Sequence, residues 1–154
     1  MKRVMEMVEQ RSQLPSQILY TPSLTWAKVV DNGTVKVGLT HKVCECLKTL
    51  SEDGEGIVSC QLKPIGEGVK QMEPFGIVKT KKVTFELSSP ISGKIKKVNE
   101  EVLANPTILS EHSEEVWIVE IEPVNLEEEV RNLLASSQYA EYSENIWYFI
   151  RMQL

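Results

Sequence analysis

The chain is poor in cysteine and histidine and has no long apolar run, and each shortage removes a class of function. Its three cysteines, Cys44, Cys46 and Cys60, are odd in number and spaced in a way that makes no disulfide framework. Cys-x-Cys with no second Cys/His pair nearby is not a zinc pattern. His41 lies close to Cys44, but small apolar side chains packed along a helix explain that neighbourhood more simply. Cys46 is left as the candidate for a reactive thiol. The two histidines, His41 and His112, are far apart and sit in no motif. There is no Gly-x-Ser-x-Gly elbow, no His-Glu-x-x-His helix and no dinucleotide fingerprint, so no catalytic residue is assigned. The glycines of 51–56 precede neither Lys-Ser/Thr nor a helix, which excludes a phosphate cradle. No segment is apolar for long enough to cross a bilayer. The opening MKRVMEMVEQRSQ has charges but no following apolar stretch, unlike a secretory signal. A cytoplasmic protein that does not engage membranes is expected.

A net charge of -5 and a pI near 5.2 argue against a nucleic-acid binder. The charge is unevenly spread. Between residues 76 and 99, Lys79, Lys81, Lys82, Lys94, Lys96 and Lys97 face only Glu86, a local balance of +5. Such a stretch is either the solvated face of strands or a docking surface for an acidic partner.

The length of 154 residues suits one domain with one core. Residues 2–13 carry Val4, Met5 and Val8 at helical spacing, a short helix or a loose arm, and Pro15 and Pro22 punctuate an extended segment. From Trp26 the apolar period becomes two. Residues 26–30, the turn Asp31-Asn32-Gly33 and residues 34–39 read as a hairpin, Asn-Gly being a strong two-residue turn signal. Thr40 is placed to cap a helix over 41–50 with Val43, Leu47 and Leu50 on one face. Strands are expected at 57–62, 94–98 and 116–121, with a turn at 64–68 and one helical turn at 100–104 capped by Asn99. Asn125 and Glu128 form a capping-box-like pair before a helix bearing Leu126, Val130, Leu133 and Leu134. The run Glu127-Glu128-Glu129 falls in its first turn, where negative charge suits the helix dipole; its role is structural. Ile146 to Ile150 is an apolar tail, a last strand or packing segment, with a partner-binding patch as the other reading. Many short strands separated by Gly/Pro turns make the fold mainly β, a sandwich or barrel decorated by a few helices.

The arms 75–81 and 83–87 flank Lys82, and Pro90 follows eight residues later. Ser89-Pro90-Ile91-Ser92-Gly93 resembles the Ser-Pro-Val-Ser-Gly that follows the modified lysine in the lipoyl-bearing hairpin of the glycine cleavage H-protein family, and counting back without a gap selects Lys82 rather than Lys79 or Lys81. The resemblance continues in order along the chain. Tyr20-Thr21 and Trp26 match the opening segment, Val37-Gly38-Leu39-Thr40 a Val-Gly-Ile-Thr strand, Leu62, Pro64 and Gly66 a Leu-Pro-x-x-Gly turn. Val98-Asn99-Glu100, Pro106 to Leu109, Trp117 and the helix from Leu126 complete it. It covers roughly residues 20–142.

The resemblance implies a barrel-sandwich hybrid of short antiparallel strands, lipoyl-domain-like, occupying 20–142. An arm or helix (1–19) would precede it and an apolar segment (143–154) would follow. It also implies a non-catalytic carrier with lipoate covalently bound to Lys82, passing an aminomethyl group between enzymes. The implied partners are a lipoate ligase or lipoyl transferase, glycine decarboxylase, aminomethyltransferase and dihydrolipoamide dehydrogenase. The chain departs from the family where Lys79-Thr80-Lys81 stands in place of Glu-Ser-Val. It departs again at Glu111-His112-Ser113-Glu114-Glu115, which replaces a glycine-rich turn, and at 51–56, which looks inserted. These departures frame two alternatives. One is a related lipoate-binding carrier for sulfur oxidation with heterodisulfide-reductase-like enzymes; the other is an unmodified interaction module. A biotin carrier fits less well, because Lys81 and Val83 stand where methionines would flank the lysine.

Overall fold

The computed structural model describes residues 18–51 and 54–143; the short helix or loose arm expected over 2–13 and the apolar tail at 146–150 lie outside them. Nine strands are described: β1 (Leu19–Tyr20), β2 (Thr25–Val29), β3 (Val35–Leu39), β4 (Ser59–Leu62), β5 (Gly68–Val69), β6 (Pro74–Lys79), β7 (Thr84–Ser88), β8 (Gly93–Val98) and β9 (Val119–Pro123). They form a six-stranded sheet in the order β1-β2-β3-β9-β8-β5 and a three-stranded sheet in the order β4-β6-β7. Every pairing is antiparallel. The result is a sandwich of two sheets with short helices around it, and the sheets do not close into a barrel.

Alternation dictates the layering, since successive side chains of a strand face opposite ways. In β7, Phe85 and Leu87 are buried while Thr84 and Glu86 face water, and in β8 Ile95 is buried between exposed Lys94 and Lys96. These side chains join Val35 and Val37 of β3, Phe75 and Val78 of β6 and Ile121 of β9 in one apolar core. Helix α1 (His41–Leu50) adds Val43, Cys44 and Leu47 to it. Burial of a side chain such as Leu47 stabilises by about 1.5–3 kcal/mol. The remaining helices are single turns or little more: α2 (Glu100–Ala104), α3 (Ile108–His112), α4 (Leu126–Glu129), which runs into a 3-10 turn (Val130–Asn132), and α5 (Ser136–Tyr142).

The hairpin between β2 and β3 has the three-residue loop expected at Asp31-Asn32-Gly33, while other expectations shift in detail. Gly33 has φ +87 and donates to the carbonyl of Val30 (2.8 Å), and Val30 N–H donates to the carbonyl of Thr34 (2.9 Å). Asn32 is not at positive φ, and its Oδ1 accepts from the Thr34 backbone N–H (3.2 Å) and lies 2.6 Å from the Thr34 hydroxyl. Thr40 holds the N-cap position of α1, but its hydroxyl makes no cap bond. Asn125 likewise makes no cap bond and donates instead to the Glu128 carboxylate (3.3 Å). The strand expected at 116–121 begins three residues later, because the N–H groups of Glu115 and Val116 both close back on the carbonyl of His112 (2.9 and 3.0 Å).

The basic stretch is divided between the sheets. Lys79 ends β6, whereas Lys94, Lys96 and Lys97 lie on β8, where Lys94 is registered against Glu122 and Lys97 against Glu120 of β9. Lys97 Nζ stands 3.9 Å from the carboxylate of Glu120, which is buried and also accepts from the Thr34 hydroxyl. The β8 lysines thus belong to the solvated face of a strand pair.

The chain crosses from the smaller sheet to the larger through Ser89-Pro90-Ile91-Ser92. The Ser89 hydroxyl donates to the carbonyl of Ile91 (2.6 Å), and Ile91 is fully buried. Gly93 then enters β8 so close to β9 that a β-carbon there would lie 2.1 Å from the carbonyl oxygen of Glu122. Gly93→Ala is therefore expected to lower unfolding stability by about 1–3 kcal/mol, the usual range for forced overpacking. A denaturant titration of the variant checks this, and an unchanged midpoint would show that the strands separate at no cost.

Candidate functional site

Strands β6 and β7 form a hairpin whose last registered pair is Lys79 with Thr84, leaving Thr80-Lys81-Lys82-Val83 as the turn. A two-residue turn of the common hairpin types needs positive φ, which lysine adopts poorly. Here the turn is built another way. Thr80 N–H donates to the carbonyl of Val83 (2.8 Å), while the Thr80 hydroxyl accepts from the N–H groups of Val83 (2.9 Å) and Lys82 (3.2 Å). The threonine side chain takes over bonds that a backbone carbonyl would otherwise make. Neither lysine is pushed to positive φ; among the described residues other than glycine only Leu24 and Met72 have it. Thr80 is buried and Val83 half-buried, so the turn is pinned at both sides, and Lys81 and Lys82 are exposed between them.

The tip is also held laterally. The ladder between β4 and β6 runs to Ser59 opposite Lys79, and Val58 N–H donates to the carbonyl of Lys79 (2.8 Å). This brings the loop before β4 alongside the turn, where Glu55 Oε2 lies 3.3 Å from Lys81 Nζ.

The base of the hairpin is tied down as firmly. Met72 N–H donates to the carbonyl of Ser89 (2.6 Å) and Ser89 N–H to that of Glu73 (2.9 Å). Ser92 donates twice to the Glu129 carboxylate, through N–H (2.7 Å) and hydroxyl (2.6 Å), and its hydroxyl accepts from Gln71 N–H (2.9 Å). Gln71 Nε2 in turn donates to the carbonyls of Pro90 and Glu129 (both 2.9 Å). Of the acidic run at 127–129, which lies in the first turn of α4 as expected, Glu129 also ties that turn to the crossing.

A family profile described as "Glycine cleavage H-protein" matches residues 18–146. The chain belongs to the glycine cleavage H-protein family. It is 37% identical over 129 residues to the glycine cleavage system H protein of Anoxybacillus flavithermus, covering 83% of this chain and 94% of that one. With the probable glycine cleavage system H protein of Pyrococcus abyssi it shares 34% over 129 residues, 84% and 91% of the two chains. The crystal structure of a glycine cleavage system H protein from Mycobacterium marinum superposes with a TM-score of 0.67 at 28% identity, covering 80% of this chain and 94% of that one. The H-protein resemblance is borne out in family, sandwich fold and carrier type, and these relatives do not favour the sulfur-oxidation alternative.

Outside the H-protein hairpin, other candidate chemistry is not assembled among the described residues. His41 and His112 do meet, in a pocket of about 160 Å³ shared with Glu111, Glu114 and Glu115. His41 Nε2 lies 3.8 Å from Glu45, both side chains being mostly exposed. Among the described residues no three His, Cys, Asp or Glu side chains are arranged to hold a metal. A larger groove of about 670 Å³ lies across β5 and β8, lined by Val69, Gly93, Val124 and Glu129 and by no residue of the hairpin turn.

The reactive thiol considered at Cys46 is not supported. Burial pushes Cys44 up to about 12 and Cys46 and Cys60 up to about 11, so all three stay protonated near neutrality. Thr80, Glu55 and Glu129 were not singled out from the sequence as parts of the site. Threonine at the first position of a turn is a recognisable side-chain cap, whereas Glu55 and Glu129 join the site only through tertiary contact.

Two expectations follow. Thr80→Val removes the acceptor for two tip amides while keeping the shape. Amide exchange at Lys82 and Val83 should accelerate, with a stability loss of about 1 kcal/mol; protection unchanged from wild type would deny the cap. The thiols bind protons more tightly when folded than unfolded, as does Tyr139, which burial raises to about 12. Unfolding stability should therefore hold up to about pH 9 and fall between about pH 9 and 12. Denaturation midpoints measured across that range test the sign.

Proposed function

We propose that this chain carries lipoate as an amide on Lys82 and presents it to the enzymes of glycine cleavage. The observation that carries this reading is the position of Lys82. It is an exposed lysine at the turn of two paired strands, its backbone N–H held by Thr80, eight residues before the proline of the Ser-Pro-Ile-Ser-Gly crossing. The residues fit the group. The amine stands outside the core, so acylation, which removes its charge and adds a long chain, displaces no packed side chain.

When bound, lipoate supplies disulfide and aminomethyl-carrying chemistry; the protein supplies position. The pinned turn gives the arm a fixed root. A tether of this kind raises the local concentration of the carried group at a docked active site to the order of mM. The proposed partners are a lipoate ligase or lipoyl transferase for loading, then glycine decarboxylase, aminomethyltransferase and dihydrolipoamide dehydrogenase, in the cytoplasm. The carrier domain in this reading is 20–142, and the chain itself catalyses no step.

Intact mass after expression in a lipoylating host tests the reading. Wild type should gain one lipoyl increment and Lys82→Arg none. An increment that survives Lys82→Arg would move the site, and a wild-type chain that never gains one would leave the unmodified interaction module.

A further inference from the structure

We propose that the outer face of the six-stranded sheet is a docking surface for an acidic protein, one that tethers the carrier while its hairpin stays free. The tethering purpose rests on the carrier reading; the surface itself does not. Antiparallel register builds it. Lys28 of β2 stands directly opposite Lys36 of β3, Lys36 opposite Glu120 of β9, and Glu120 opposite Lys97 of β8. Adjacent strands lie about 4.8 Å apart, so these four side chains form one row across the sheet. Two residues along β9, on the same face, Glu122 is registered against Lys94, and Lys96 is exposed in the bulge between Ile95 and Lys97. The β8 lysines, solvated in the chain alone, thereby widen the row. Five lysines against two glutamates give the face a balance of +3 on a chain of net charge -5, leaving -8 elsewhere.

These lysines are not balanced within the sheet. Glu120 is buried, accepts from the Thr34 hydroxyl and already faces Lys97 Nζ at 3.9 Å. Among the described residues no ion pair closes on Lys28, Lys94 or Lys96. Lys36 lies over the half-buried ring of Trp117, its Nζ 5.5 Å from the centroid. Like charges directly opposite on neighbouring strands destabilise a sheet, so the pair of Lys28 and Lys36 opposes folding rather than serving it. A carboxylate-rich surface laid over the row turns that repulsion into attraction, and the field of the row speeds its approach. Trp117 adds an aromatic contact of the kind that anchors interfaces. An acidic patch on a folded protein meets the row alone, whereas an extended polyphosphate also meets the negative charge around it. The hairpin that presents Lys82 belongs to the other sheet of the sandwich, so a protein seated on this face leaves that hairpin clear.

Titration of the isotope-labelled full-length chain with a short polyglutamate peptide at low salt, followed by NMR, tests the surface. Shifts should gather at the amides of Lys28 and Lys36 and at the Trp117 indole. Lys28→Glu combined with Lys36→Glu should weaken binding about tenfold, whereas Lys42→Glu with Lys48→Glu, an equal change of net charge on exposed positions of α1, should leave it within about twofold. Molar salt should remove the difference between wild type and the first variant. Equal weakening by both pairs, or shifts spread over other surfaces, overturns the proposal. So does tighter binding of a single-stranded oligonucleotide of equal charge on the same face, which would make the occupant a nucleic acid. In a lipoylating host, Lys28→Glu with Lys36→Glu should gain the same single increment as wild type; its loss while wild type is loaded would show that the face serves loading and would overturn the tether. A wild-type chain that never gains the increment sinks the carrier reading instead and leaves the surface to be decided by the titration.

Discussion

The geometry of this protein depends on one crossing between its two sheets. At Ser89–Ser92 the chain leaves β7 and enters β8, and side chains from three distant segments converge there. Gln71 comes from the loop before β6, Ser92 from the crossing itself and Glu129 from α4. The carboxylate of Glu129 is a double acceptor for Ser92, a charge-assisted arrangement stronger than a neutral hydrogen bond. Because the hairpin of β6 and β7 springs from this point, its far end inherits whatever rigidity the crossing has. Gly93 shows how little room is left, since no side chain fits between β8 and the backbone of β9.

The hairpin itself was legible in the sequence. Alternating apolar residues on either side of Lys82 and a breaker at Pro90 suffice to place two strands and their turn, and the structure has both. The means of turning was less visible. A Lys-Lys tip has no residue suited to positive φ, and the fold uses the Thr80 hydroxyl instead. The first hairpin shows the converse. Asp31-Asn32-Gly33 marked the turn correctly, but nothing in the sequence showed that the Asn side chain is spent on Thr34.

Elements that escaped the sequence share a physical cause. Strands β1 and β5 are two residues long, too short for any period to register, and they exist through partners. Tyr20 of β1 exchanges backbone bonds with Leu134 (2.8 and 2.7 Å), and its ring stacks on Tyr139 of α5 at 4.0 Å. Helices α3 and α5 likewise have no strong intrinsic stripe and are shaped by what they cover. The placement of Glu55 beside Lys81 belongs to the same class, because only the β4–β6 ladder brings the two together.

The buried cysteines acquire a meaning from the proposed cargo. A cyclic disulfide is opened by thiolates, and a carrier with an accessible, ionised thiol would attack the very group it transports. Here Cys44 and Cys46 sit on the inward face of α1 and Cys60 is half-covered in β4, each kept protonated by its surroundings. The fold therefore withholds its own thiols from the proposed arm, whose redox state would be set by the enzymes that receive it.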